Sequence, residues 1–169
     1  MAKKAGAKSA QKGGGATHAD VQIMLQLYDM RRETEMRNAR HFVSAEYWPE
    51  SAEDVMQVVR AYPSTENTYL RQVTSYWEMA ASFVLRGGLH AGLFYDVTGE
   101  MWCVFAKFKP FLEELRKRLP LFLLSVEQVI MSTPEGRDRL ARLERRLARR
   151  QQKLADRRAA ISQTSAGYT

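Results

Sequence analysis

The 169-residue chain carries 26 Lys/Arg against 19 Asp/Glu, a formal net charge of +7, and 45% of its residues are hydrophobic. That allows one domain with a real core plus appendages, and is too short for two comfortable domains. The single cysteine excludes an internal disulfide, no cysteine pattern suggests a zinc site, and no run of about 18 apolar residues is available to span a bilayer.

The charge is segregated. Residues 17–136 hold 12 Lys/Arg and 16 Asp/Glu, the first sixteen add four lysines and no acid, and residues 137–169 hold 10 Lys/Arg and three Asp/Glu. A mildly acidic body with cationic ends suggests a module that presents a basic helix to something anionic. The basic opening is not followed by an apolar stretch, so no secretory signal is expected and the localisation is expected to be cytoplasmic.

Residues 1–16 read as a disordered tail of lysine, glycine, alanine and small polar residues, unable to bury enough surface to offset ordering entropy. Thr17 and Asp20 form a plausible helix start. The spacing of Val21, Leu25, Tyr28, Met36, Ala39, Val43 and Tyr47 predicts one inward stripe on a helix over 18–47, closed by Pro49. Ser51 is expected to cap a short helix with Val55, Val58 and Val59 inward, ending before Tyr62-Pro63. A longer helix follows from Ser64 or Thr65 to Arg86, burying Leu70, Val73, Trp77, Ala80 and Val84, with Arg71, Ser75, Glu78 and Ser82 on its wet face. Gly87-Gly88 stops it.

The aromatic centre comes next, with Leu93, Phe94, Tyr95, Trp102, Phe105, Phe108 and Phe111. It predicts a short helix near 90–96, then one from Thr98 to Leu119 bent at Pro110, then one near 121–131. Nothing alternates as a strand should, so the expected fold is an all-α bundle of four to six helices over 17–131. Thr133-Pro134-Glu135 opens a final Arg-rich amphipathic helix over 132–161 that is expected to project from the bundle, with 162–169 a frayed, disordered end.

Arg31-Arg32 followed by Thr34, then Tyr62-Pro63, Tyr76-Trp77-Glu78, Gly88-Leu89, Gly92-Leu93-Phe94-Tyr95, Trp102, Pro110-Phe111-Leu112 and Arg116 form a recognisable order. Over about residues 20–120 it resembles a family of small bacterial helical proteins grouped as a domain of unknown function. Some members begin with a transmembrane helix where this chain has its lysine-glycine tail. The resemblance implies no reaction, cofactor or catalytic residue.

The chemistry-bearing residues read as follows. His18, His41 and His90 lie far apart in no ligand spacing, and His90 with Asp96 and Glu100 would be spread over two turns and a loop. His41 reads as a surface or salt-linked residue. Cys103, within Met101-Trp102-Cys103-Val104-Phe105, reads as a buried inert thiol. Glu113 with Lys117 and Glu114 with Arg118 are spaced for surface ion pairs. If Arg32 or Glu35 faces the aromatic segment, a buried ion pair would fix packing, and a cleft lined by Arg31 and Arg32 could hold a small anion. No triad, metal set or phosphate loop is present, so neither an enzyme nor a cofactor is expected.

The last helix carries the functional expectation. Leu140, Leu147, Leu154 and Ile161 repeat every seven residues, with Leu143 beside the first, giving a narrow coiled-coil-like seam. Arg142, Arg145, Arg149 and Lys153 gather on the opposite face, with Arg146 at its edge and Arg150 adding to the charge. The seam suggests a protein partner or a homo-oligomer. The alternative is sequence-independent binding of nucleic-acid phosphates by the basic segments, and an anionic membrane surface is disfavoured because residues 133–161 lack Trp, Phe and Tyr.

Overall fold

The computed structural model describes the backbone of residues 14–166 and the side chains of 14–149 and 152. It is all-α: among the described residues there is no strand. The elements are α1 (His18–Arg32), α2 (Thr34–His41) ending in a π turn at Phe42–Glu46, α3 (Ala52–Arg60), α4 (Thr65–Leu85) and α5 (Ala91–Val97). They continue with α6 (Gly99–Phe108), a 3-10 turn at Lys109–Phe111, α7 (Leu112–Leu115), α8 (Leu124–Met131) and α9 (Pro134–Ala166). None is long and apolar enough to cross a membrane.

Local chemistry sets most starts and stops. Thr17 with Asp20, and Ser51 with Asp54, close reciprocal capping boxes at α1 and α3, while Ser64 caps α4. Gly87 takes a left-handed φ of 70° after α4, a conformation that costs glycine least.

The helix expected over 18–47 is two helices and a π turn. Glu33 breaks it: its backbone is extended at ψ 143°, and its carboxylate caps α2 by accepting from the Met36 amide at 2.9 Å. The break rotates α1 relative to the expected stripe. Leu27 is buried with Ile23 and Met24 packed beside it, whereas Val21, Leu25 and Tyr28 face solvent. The helix expected over 98–119 is also divided, because Pro110 cannot donate to the ladder and a tighter turn replaces it. α7 gives way to hydrogen-bonded turns over 116–118, and neither Glu113–Lys117 nor Glu114–Arg118 forms an ion pair among the described residues; Arg116 instead reaches Glu127 on α8 at 2.5 Å.

α4 is the central element, packed by α2, α3 and α8. Leu70, Val73, Trp77 and Ala80 are buried as the spacing predicts, and the aromatic centre supplies Phe94, Trp102, Phe105 and Phe108 to the same core. Glu78, expected on the wet face, accepts from the Ser125 and Val126 amides at 2.6 and 3.3 Å and so caps α8 from across the bundle.

The turn into α9 is tight. Thr133 caps it through the Gly136 amide, and a Cβ at Gly136 would stand 2.3 Å from the Ile130 carbonyl oxygen. Gly136→Ala should therefore force α9 away from α8 and cost about 1–3 kcal/mol. Thermal denaturation reads this directly; an unchanged Tm would show that the turn yields without strain.

Candidate interaction surface

α9 is anchored by its first half. Leu140 is buried, Leu143 and Leu147 pack against the core from the side, and the contacts fall on α6 and α8. The start of the seam is thus spent on the protein's own body. The side chains of Leu154, Ile161, Arg150 and Lys153 lie outside the described residues, as do residues 1–13 and 167–169. The backbone of α9 continues to Ala166, five residues past its expected end.

Polar contacts pin the same base. Trp102 donates its indole N–H to the Gly136 carbonyl at 3.3 Å, and the Arg139 guanidinium lies 4.5 Å from the Trp102 ring centroid while donating to the Tyr95 carbonyl at 3.2 Å. Lys109 pairs with Glu144 at 2.5 Å on the other flank. Arg142, Arg145, Arg146 and Arg149 are exposed, and none makes an ion pair with a described residue. Asp138 is one helical turn before Arg142, yet no pair forms there.

Cys103 departs from expectation. Its neighbours Met101, Trp102, Val104 and Phe105 are buried, but the thiol faces the other way and is exposed. With Gly99 it lines an open groove between α6 and α9, whose other lining residues are Arg139, Arg142, Leu143 and Arg146. Partial burial pushes the thiol pKa up, and the nearby Arg146 and Arg139 charges only partly oppose this.

Arg31 and Arg32 do not line one cleft. Arg31 turns inward to the Glu100 carboxylate at 2.7 Å and lies 5.1 Å from the Trp77 ring centroid. Arg32 stays on the surface beside Tyr28, 5.7 Å from its ring centroid. The buried ion pair expected of Arg32 or Glu35 exists, with other members: Arg40 grips the same carboxylate through Nε and Nη2, the latter at 2.5 Å, and its Nη1 donates to the Arg31 carbonyl freed by the break at Glu33. Glu100 is held below the usual carboxylate range; its burial works against this, and the two guanidiniums outweigh the burial.

The remaining polar residues have local roles. His90 caps α5 through Nδ1, accepting from the Leu93 amide, and its own amide donates to Asp20 at 2.8 Å, joining the starts of α1 and α5. His41 lies 3.1 Å from Glu46 on the surface. Lys107 is the least expected: it is 8% exposed and donates to the carbonyls of Val43, Ser44 and Tyr47 at the end of the π turn, beside the Trp48 ring. Among the described residues no group of three or more His, Cys, Asp or Glu side chains could hold a metal ion.

Residues 16–130, about two thirds of the chain, match a family described as a domain of unknown function (DUF4760). The chain belongs to that family. The matched region covers α1 to α8 and stops before α9, so the cationic helix lies beyond the part that defines the DUF4760 domain. No curated protein and no solved structure matches the chain.

Proposed function

We propose that this DUF4760 protein is a non-catalytic interaction module that engages a protein partner through α9. The observation that carries this reading is the division of labour along that helix. Leu140, Leu143 and Leu147 fasten its base to the body, while Arg142, Arg145, Arg146 and Arg149 are exposed and have no carboxylate partner among the described residues. Beyond Leu147 the helix continues for nineteen residues, about 28 Å at 1.5 Å per residue.

That stretch, 148–166, holds five Lys/Arg and one Asp, together with Leu154 and Ile161 in heptad register. Such a strip offers a narrow apolar seam inside a cationic border. Pairing it with a second copy would set like charges along the seam, which opposes a symmetric coil. An acidic partner helix meets both the seam and the border, so a partner of opposite charge is favoured over self-association.

The test is affinity capture with the full-length chain after nuclease treatment, comparing it with a variant carrying Arg145→Glu, Arg149→Glu and Leu154→Asp. A partner retained by the parent and lost by the variant supports the reading. Equal capture by both removes the Arg145, Arg149 and Leu154 positions of α9 from the interface. Light scattering on the bait alone should give the monomer mass, and a dimer mass abolished by Leu154→Asp would return the seam to self-association.

The exposed arginines of α9, with the four lysines of residues 1–16, support a second reading: binding to nucleic-acid phosphates. About five phosphate contacts on duplex DNA would give a log–log salt slope near −4.5. No retention of duplex DNA at low salt eliminates it.

A further inference from the structure

The groove between α6 and α9 has a composition that neither helix shows by itself. It is lined by Gly99 and Cys103 on α6 and by Arg139, Arg142, Leu143 and Arg146 on α9, an open groove of about 610 Å³. Residues 139, 142, 143 and 146 follow helical spacing, so three guanidiniums and one leucine share a flank.

Among the described residues no carboxylate forms an ion pair with these cations. Glu100, at the start of α6, is gripped by Arg31 and Arg40, and Glu144 is engaged by Lys109 on the opposite flank. Asp138 makes no ion pair with Arg142 among the described residues. Arg139 is preset: the Tyr95 carbonyl and the Trp102 ring hold its guanidinium, and a Cβ at Gly99 would come within 2.8 Å of its Nη2. A side chain at position 99 would require the flexible end of Arg139 to shift.

We propose that this groove is the docking site for an acidic protein segment, with Asp or Glu carboxylates meeting Arg139, Arg142 and Arg146 and a small apolar residue resting on Leu143 and Cys103. The inference rests on α9 being the interaction element, and it names where on α9 the partner is read and by what chemistry. Charge complementarity selects an anion, and planar guanidinium forks suit carboxylates in two-point contact.

Shape and lining choose a peptide over a nucleic acid. The site is concave and includes Leu143 and a thiol, surfaces that suit an aliphatic side chain. None of its lining residues is aromatic, so no platform for base stacking is offered. A phosphate backbone would use the whole convex ridge, including Arg145 and Arg149, whereas the groove singles out Arg139, Arg142 and Arg146.

Cys103 supplies a reporter inside the site, because it is the only cysteine in the chain. The full-length protein is treated with a neutral maleimide in the presence of poly-L-glutamate, or of a single-stranded oligonucleotide of equal charge, and labelling is followed by mass spectrometry. Poly-L-glutamate at ten times its Kd should slow labelling about tenfold. Arg142→Glu with Arg146→Glu should abolish the protection. Arg145→Glu with Arg149→Glu, the same change in charge off the groove, should preserve it at saturating probe.

Three results overturn the inference: no slowing in the parent, equal loss of protection in both double variants, or slowing by the oligonucleotide at lower concentration than by poly-L-glutamate. Circular dichroism checks each variant, and Arg142→Gln with Arg146→Gln replaces the charge reversal if that one misfolds. The two proposals fail separately. Partner capture that survives Arg142→Gln/Arg146→Gln but not the Arg145/Arg149/Leu154 variant leaves α9 as the interface and removes the groove.

Discussion

Glu100→Gln should destabilise the protein by about 3–5 kcal/mol, the largest loss expected from any single polar substitution in the bundle. Glu100 holds Arg31 at 2.7 Å and Arg40 at 2.5 Å, and its side chain is only 18% exposed. The amide is nearly the same shape but neutral, so both guanidiniums would remain partly buried without a counter-ion. Arg40 also donates to the Arg31 carbonyl, which ties the cluster to the α1–α2 break. Loss of Glu100 should therefore loosen that break as well as α6. Urea unfolding gives the free energy; a loss below about 1 kcal/mol would show that water already screens the cluster.

The same residue predicts an acid limb in the stability profile. Its folded pKa lies below its ordinary value of 4.5, despite burial, because Arg40 and Arg31 stabilise the carboxylate. The unfolded chain consequently binds the proton at higher pH than the folded one. The stabilisation is complete above about 4.5 and is lost as pH falls through the lowered folded value. Glu100→Gln should lack this contribution, so the stability gap between parent and variant should narrow as pH falls through that window. A constant gap would assign the cluster no role in acid denaturation.

Lys107→Met is the second large effect, at about 2–4 kcal/mol. The ammonium donates to three carbonyls that the π turn at Phe42–Glu46 leaves open, and it lies 3.8 Å from the Trp48 ring centroid. Methionine keeps the aliphatic stem and removes every donor, exposing those carbonyls to an apolar surrounding. Lys109→Met, two residues on, should cost under about 1 kcal/mol because its pair with Glu144 stands in solvent. Denaturant unfolding of the two variants decides the matter; equal losses would mean that Lys107 contributes no more than a surface lysine.

The parts of the fold that could be read in advance share one property: the signal is local. Ser51, Ser64 and Thr17 cap helices because a short polar side chain reaches an amide two or three residues on. Leu70, Val73, Trp77 and Ala80 are buried because one long helix keeps its register over its whole length. Register also explains the failure at α1. A single extended backbone at Glu33 rotates everything before it, so Val21, Leu25 and Tyr28, continuous with Met36 and Ala39 in a straight helix, turn outward. Cys103 is exposed against expectation because apolar neighbours in sequence say nothing about which side of a short helix is covered.

The sequence alone determined that the chain is helical, that positive charge gathers at its ends, and that one face of the last helix carries leucines and the other arginines. These follow from composition and from a 100° step per residue, which need no partner to be true. Which charges remain available follows from packing across the bundle. It spent Glu100 on Arg31 and Arg40, Glu144 on Lys109 and Leu140 on the body, and left Arg142, Arg146 and Cys103 facing a common groove. Electrostatic and apolar groups act on what lies within a few ångströms, and that neighbourhood is assembled by segments dozens of residues apart.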